Sequence, residues 1–352
     1  MTKAVVTILI TEDQLARLQS RCEVVFIGWG KTGECLSEQE LTVLSQDAEI
    51  MLVGYETVSR SMIQNLPRLK LLGCARTNPV NVDITAASER RIPVLFTPGR
   101  NANAAAEFTI GLMLAESRHI ARSHYALKTN CYLGEANEIF DGADCSADVI
   151  WNLDGKSPYK DFRGAELCDR MLGLIGLGNV GTRVAVLAKA FGMRVVAYSP
   201  FYNVEKAEKL GVKMVALDDL LMQSDFVSVN CKVTNETQQL LGKREFALMK
   251  SSAYFINTAR AIIADQEALL EALQNHRIAG AALDVYWYEP IPCNHPLLQL
   301  DNVTLTPHLA GATVEVATRH SKMIVDDVLA WMEGRQPERV YNANELANST
   351  NQ

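Results

Sequence analysis

Short runs of β-branched and other apolar residues alternate with stretches of helical periodicity along the first hundred positions. The runs 4–10, 23–28, 49–54, 70–74 and 92–96 read as buried strands. Segments 11–20, 38–45, 57–65 and 83–90 read as helices between them, the last two closing near Pro67 and Pro93. One long helix is expected over 102–128, from Ala104-Ala105-Ala106-Glu107 through Leu112, Met113 and Ile120. An irregular acidic stretch follows at 131–164, with Glu135, Glu138, Asp141, Asp144 and Asp148. Loops of that length usually carry function or cover a partner. From 171 the alternation resumes, with strands at 171–176, 194–198, 213–215, 226–230, 253–257, 279–285 and 303–306. A last helix over 313–333 precedes a polar tail. This pattern specifies an α/β protein built on parallel sheets, and no repeat of about 20–50 residues points to a solenoid.

At 352 residues the chain is long enough for two domains. Its net charge of −7 offers no basic field to hold nucleic acid or an anionic membrane, so an anionic substrate must be met by a few local cations. The first apolar run is too short and too β-branched for a signal peptide, and no run reaches the roughly 18 residues that span a bilayer. Cysteines at 22, 35, 74, 131, 145, 168, 231 and 293 include no CxxC pair and no His at zinc-ligand spacing. They are expected to be reduced thiols in a cytoplasmic protein, and no metal site is expected.

Met171-Leu172-Gly173-Leu174-Ile175 runs into Gly176-Leu177-Gly178-Asn179-Val180-Gly181 and then into the amphipathic helix of Arg183, Val184, Leu187 and Ala188. Gly176 permits a tight turn, Gly178 lets backbone approach a pyrophosphate, and Gly181 lets helix pack on strand. A GxGxxG alone could be a packing turn. Framed by strand, helix and a second strand at 194–198, it reads as a dinucleotide site. The acid expected after that second strand is missing, because Ser199-Pro200 stands there. An Asp would bind the ribose 2′-hydroxyl and repel a 2′-phosphate. NAD is therefore expected with NADP left open, Lys206 and Lys232 being the cations that could approach a phosphate.

Three downstream segments end predicted strands at the carboxyl edge, where open α/β sheets bind ligands. Phe255-Ile256-Asn257-Thr258-Ala259-Arg260 brings a cation. Asp284-Val285-Tyr286-Trp287-Tyr288-Glu289-Pro290 brings carboxylates, and Thr306-Pro307-His308-Leu309-Ala310-Gly311 brings an imidazole. Taken singly, Arg260 could be a surface cap, Glu289 a solvated turn residue and His308 a core histidine.

Together these segments resemble the D-isomer-specific 2-hydroxyacid dehydrogenase family, which includes phosphoglycerate, glycerate and D-lactate dehydrogenases. GLIGLGNVG, SDFVSVN, FINTARA, ALDVYWYEP and TLTPHLAG occur in the family's order, and the resemblance runs from about 70 to 335. It implies two doubly wound parallel-sheet domains: a flavodoxin-like substrate domain (1–103 and 312–352) and a Rossmann-type cofactor domain (104–311). It also implies Arg260, Glu289 and His308 as the catalytic three. Arg260 would fork onto the substrate carboxylate and carbonyl oxygen, His308 would exchange the proton on that oxygen, and Glu289 would fix the imidazole tautomer. Gly176, Gly178, Asn179, Val180, Gly181, Ser199 and Thr258 are expected against the cofactor. Asp284 is expected near the nicotinamide amide or, with equal weight, as a structural strand-end residue. Arg76, Thr77, Asn78 and Arg100 resemble the substrate loop and hinge.

The departures also inform. Thr77-Asn78-Pro79 is stiffer and more polar than the family's Gly-rich loop, so carboxylate-binding amides must come from Thr77 and Asn78. Asn230-Cys231-Lys232 replaces the usual His-x-Pro. The polar set Arg76, Asn78 and Arg100 favours a phosphorylated or polyhydroxylated 2-oxo/2-hydroxy acid. A homodimer through the long helix is expected, in keeping with the apolar content of 104–120. Two alternatives stand. Formate-dehydrogenase-like relatives usually carry Gln where Glu289 stands, and corepressor-like scaffolds of this fold would bind NADH without turnover.

Overall fold

The computed structural model describes residues 1–133, 157–200 and 202–348. The chain divides into two compact units, Met1–Asn101 with Thr313–Gln352, and Ala102–Ala312. In the first, five parallel strands, β1 (Lys3–Val6), β2 (Glu23–Phe26), β3 (Ile50–Val53), β4 (Leu71–Cys74) and β5 (Val94–Leu95), lie in the order β2-β1-β3-β4-β5. That is the flavodoxin-like order, with its switch point between β1 and β3. β3 and β4 are buried along their whole length, as parallel strands covered on both faces must be. Val5, Met51 and Leu72 feed one core, and Ala4, Ile50 and Leu71 the other. The helix Val314–Met332 closes the second core with Ile324, Val325, Val328 and Leu329.

β1 is shorter than the expected 4–10. Ile8 and Ile10 stay buried, but Gly30 approaches so closely that a Cβ there would sit 1.9 Å from the Ile8 carbonyl oxygen. The chain therefore leaves the ladder after Val6 and forms a loop at the carboxyl edge.

Among its described residues the second unit holds seven parallel strands: β6 (Met171–Ile175), β7 (Arg194–Tyr198), β8 (Lys213–Met214), β9 (Phe226–Val229), β10 (Tyr254–Asn257), β11 (Gly280–Leu283) and β12 (Val303–Leu305). Their order, β12-β11-β10-β9-β6-β7-β8, is that of a Rossmann sheet extended by one strand, with its switch point between β6 and β9. Side chains alternate between faces: Phe255 and Leu283 enter one core, Ile256 and Ala282 the other.

The expected single helix over 102–128 is two helices, Ala102–Ser117 and Ile120–Lys128. The His119 N–H reaches back only to the Glu116 carbonyl, and His119 itself is left-handed at φ 53°. The Ser117 carbonyl accepts instead from the Ala165 N–H, and Gly164 lies against it, leaving no room for a Cβ. Tertiary contacts thus end the helix, not any local breaker. The apolar content of 104–120 has a further explanation. Ala106, Ile110, Leu112 and Met113 are buried in this unit's own core, and Ala104 and Ala105 are buried as well, so they give no argument for a dimer. Most of the acidic stretch 131–164 lies outside the described residues, as does the end of the tail; Pro158–Asp161 forms a short helix. The seven cysteines among the described residues are unpaired. No helix among them is long and apolar enough to cross a membrane.

Glu116, 2% exposed near the end of the first helix, accepts a 2.6 Å bond from the Thr304 hydroxyl of β12. Burial pushes its carboxyl up to about 7 from an ordinary 4.5. The folded state therefore binds the extra proton between pH 4.5 and about 7, and stability falls as pH rises through that window, by roughly 3 kcal/mol. Glu116→Gln is expected to match the wild type in urea unfolding at pH 5 and to exceed it at pH 8. A variant that kept the wild-type pH slope would place the linkage elsewhere.

Candidate active site

At the switch point of the second unit, β6 turns through Gly176 (φ 102°) and Gly178 into the helix Asn179–Ala190. A Cβ on Gly176 would press on the Cys231 N at 2.8 Å, and one on Gly181 would lie 2.2 Å from the Gly176 carbonyl oxygen. These glycines are demanded by close packing. Gly178 is different, because nothing lies within 4 Å of a Cβ there, so its flank is open. Asn179 and Val180 open the helix, where backbone N–H groups have no acceptor within it. The Thr182 hydroxyl and the Asn230 side-chain oxygen nearby are buried without a partner. An open glycine flank, outward N–H groups and orphaned polar atoms fit a dinucleotide pyrophosphate. Ser199 follows β7 directly, so no carboxylate stands at the ribose position.

The carboxyl ends of β10, β11 and β12 carry the three candidate reacting groups. After β10, the Asn257 side chain accepts from the Ala259 N–H and donates to the Arg260 carbonyl, both at 3.0 Å. It clamps the turn that presents Arg260, whose side chain is exposed with Nη1 on the Ala259 carbonyl at 2.6 Å. Thr258 meets the Thr109 hydroxyl at 2.9 Å, tying the same turn to the helix Ala102–Ser117.

After β11, Asp284 is fully buried. Its carboxylate accepts from the Thr306 hydroxyl at 2.7 Å, the Leu309 N–H at 2.7 Å and the Ala310 N–H at 2.8 Å. These donors bracket His308, which sits at φ 56°, a conformation uncommon for residues other than glycine. Removing the carboxylate would orphan donors at about 1–3 kcal/mol each.

His308 Nδ1 lies 2.7 Å from Glu289 Oε2, and the other Glu289 oxygen accepts from the Tyr286 N–H at 3.0 Å. The Glu289–Pro290 peptide is cis. Because the carboxylate can only accept, Nδ1 carries a proton, and Nε2 is the nitrogen left to exchange one. Both side chains are partly open, at 41% and 38% exposure.

In the first unit, Arg76 follows β4, with its guanidinium 5.5 Å from the Tyr55 ring centre, and Arg100 follows β5. The loops are laced together: the Thr97 N–H donates to the Arg76 carbonyl and the Thr77 hydroxyl to the Thr97 carbonyl. The Asn78 side-chain oxygen accepts from Tyr341 at 2.8 Å. The Thr77 and Asn78 N–H groups have no acceptor among the described residues. Sequence reasoning missed Tyr55, which the carboxyl-edge rule applied to β3 would have found. It also missed the Asn257 clamp, for which only an Asn at a strand end gave a signal. No His, Cys, Asp or Glu cluster able to hold a metal occurs among the described residues.

Residues 110–310 match the model of the D-isomer specific 2-hydroxyacid dehydrogenase NAD binding domain. The chain is 32% identical to a glyoxylate reductase of Thermofilum pendens over 98% of its own length and 95% of that protein. It is 34% identical to the D-3-phosphoglycerate dehydrogenase of Methanocaldococcus jannaschii over 97% of its own length, but spans only 60% of that longer protein. A solved structure, the TT0316 protein of Thermus thermophilus, superposes with a TM-score of 0.79 at 31% identity, covering 97% of this chain and 100% of that one. The chain belongs to the D-isomer-specific 2-hydroxyacid dehydrogenase family and is an NAD-dependent oxidoreductase acting on small 2-hydroxy acids, with NADP use left open by its pocket.

Proposed function

We propose that Arg260, Glu289 and His308 interconvert a 2-oxo acid and its D-2-hydroxy acid. The observation that carries this is the 2.7 Å His308–Glu289 pair, which leaves one imidazole nitrogen to exchange a proton. Gly176, Gly178, Asn179, Val180 and Gly181, with Ser199 and Thr258, would hold the nicotinamide cofactor, whose chemistry when bound is hydride transfer. His308 gives its Nε2 proton to the carbonyl oxygen in reduction and takes it back in oxidation. Glu289 keeps Nδ1 protonated, so that Nε2 is always the exchanging atom. Arg260 supplies a planar fork for the carboxylate and the oxygen that gains charge. Asp284 holds the His308 segment, and any contact from it to the nicotinamide amide would be made beyond the three bonds it already accepts.

The unit with β1–β5 is the proposed substrate domain. Arg76 and Arg100 are the reason for favouring a phosphorylated or polyhydroxylated acid. Both are partly buried, and neither pairs with a carboxylate among the described residues. Burial chiefly, and the nearby charge of Arg76, hold the Arg100 guanidinium below its ordinary pKa. Buried cations are normally paired, so a second anionic group on the substrate completes the site. The Thr77 and Asn78 N–H groups would serve the first carboxylate. A homodimer is proposed through Ile120–Lys128, where Ile120, Tyr125 and Leu127 are exposed.

His308→Gln is expected to lower kcat at least ~10²-fold with little change in NADH affinity; activity within a few-fold of wild type would sink the assignment. Arg260→Lys should raise KM for the oxo acid and also cut kcat, since a point charge cannot replace a fork. Loss confined to NADH binding would instead make Arg260 a cofactor residue. Without an acid at Ser199, discrimination between NADH and NADPH should be weak, with NADH somewhat preferred. Ser199→Asp adds a charge-assisted bond worth roughly 1.5–3 kcal/mol to the ribose and repels a phosphate. The variant should shift kcat/KM toward NADH about tenfold or more. A wild-type preference above ~10³ for either cofactor would assign control of the pocket to other residues.

A further inference from the structure

Arg100 is gripped by one helix. From Val314–Met332, Arg319 Nε donates to the Arg100 carbonyl at 2.7 Å, and His320 Nδ1 lies 2.9 Å from Arg100 Nη1. A guanidinium has no acceptor, so Nδ1 must accept and carries no proton. The other ring nitrogen, Nε2, lies 2.5 Å from the Leu9 carbonyl oxygen and must therefore donate. One neutral tautomer satisfies both contacts. Burial pulls the His320 pKa down to about 4, which keeps the ring neutral at physiological pH.

A carboxylate in this position would hold Arg100 equally well but would cancel its charge. A neutral acceptor orients the guanidinium and leaves its charge available. Arg100 Nε remains buried without a partner, and Arg76, Tyr55 and Cys74 are the charged or titratable groups around the guanidinium.

We infer that His320 is a positioning residue for substrate selection, holding Arg100 beside Arg76 so that the pair receives the second anionic group of the substrate. This rests on the reading of Arg100 as a substrate residue given above. Leu9 follows β1, so the relay joins the carboxyl edge of β1 to that of β5 through a single ring.

The test is titration of inorganic phosphate into the whole protein with saturating NADH, which covers the Gly176–Gly181 loop. Arg100→Ala is expected to weaken phosphate binding tenfold or more. His320→Leu, which keeps bulk but offers no acceptor, should weaken it comparably. His320→Asn, which restores an acceptor oxygen near the Nδ1 position, should recover most of the loss, a rescue that a purely packing role would not show. If the wild type binds no phosphate, or Arg100→Ala binds it unchanged, the substrate reading of Arg100 falls and the inference falls with it. If Arg100→Ala loses binding while His320→Leu keeps it, that reading stands and the role of His320 is overturned. Imidazole ¹⁵N spectra of the wild type decide the matter even if His320→Leu does not fold. A neutral ring protonated only at Nε2 is expected at pH 7, and a ring protonated at Nδ1 overturns the relay.

Discussion

Parallel strands cannot be joined by a tight turn; each needs a crossover that returns the chain to the opposite edge before the next strand begins. In both units every ladder is parallel, so all strands of a sheet end at one edge. That constraint gathers residues from distant parts of the chain. In the second unit it collects Gly176 after β6, Ser199 after β7, Arg260 after β10, Asp284 and Glu289 after β11 and His308 after β12. In the first it collects Leu9, Tyr55, Arg76 and Arg100 after β1, β3, β4 and β5. The apolar cores above and below each sheet set where the edge lies, and the edge sets what can meet.

Bringing groups to an edge does not orient them. Orientation comes from polar side chains buried just behind the reacting ones. Asn257 spends both ends of its amide on the turn that carries Arg260. Asp284 spends its carboxylate on both sides of His308 and sustains a left-handed backbone there. Neither can be replaced by an apolar residue without stranding backbone N–H groups in a buried place. In the proposed mechanism a rigid support of this kind would matter, because proton exchange at Nε2 needs the ring held in one place and one tautomer.

The charges are divided in a related way. Glu289 pairs directly with His308, the pair proposed above for the proton transfer. At Arg100 the partner is a neutral imidazole, which fixes direction and leaves the cation uncompensated. A chain with net charge −7 attracts no anion by its overall field, so uncompensated local cations such as these would carry the selectivity.

The strand cores and the glycine-rich turn after β6 were legible in the sequence, because each rests on a local signature; the proposed reacting residues Arg260, Glu289 and His308 were placed at strand ends by the same pattern, and their roles came from the family resemblance. Continuous apolar runs such as Ile50–Val53 announce a buried parallel strand, GxGxxG announces its turn, and polar residues just beyond a strand announce the edge. What the sequence could not determine depends on contacts between residues far apart in the chain. The helix break at His119 follows from Ala165 and Gly164 capturing the Ser117 carbonyl. The early end of β1 follows from the approach of Gly30, and the apolar face of Ala106, Ile110, Leu112 and Met113 proved to belong to the unit's own core. The three donors that Asp284 accepts from, at Thr306, Leu309 and Ala310, likewise had no local trace. The His320–Arg100 contact, spanning 220 positions, has no local trace at all, since a histidine within an amphipathic helix looks the same whether or not an arginine waits behind it. Periodicity and motif spacing are properties of neighbours along the chain, and the partners that orient, terminate or neutralise a group are chosen only when the sheets have closed.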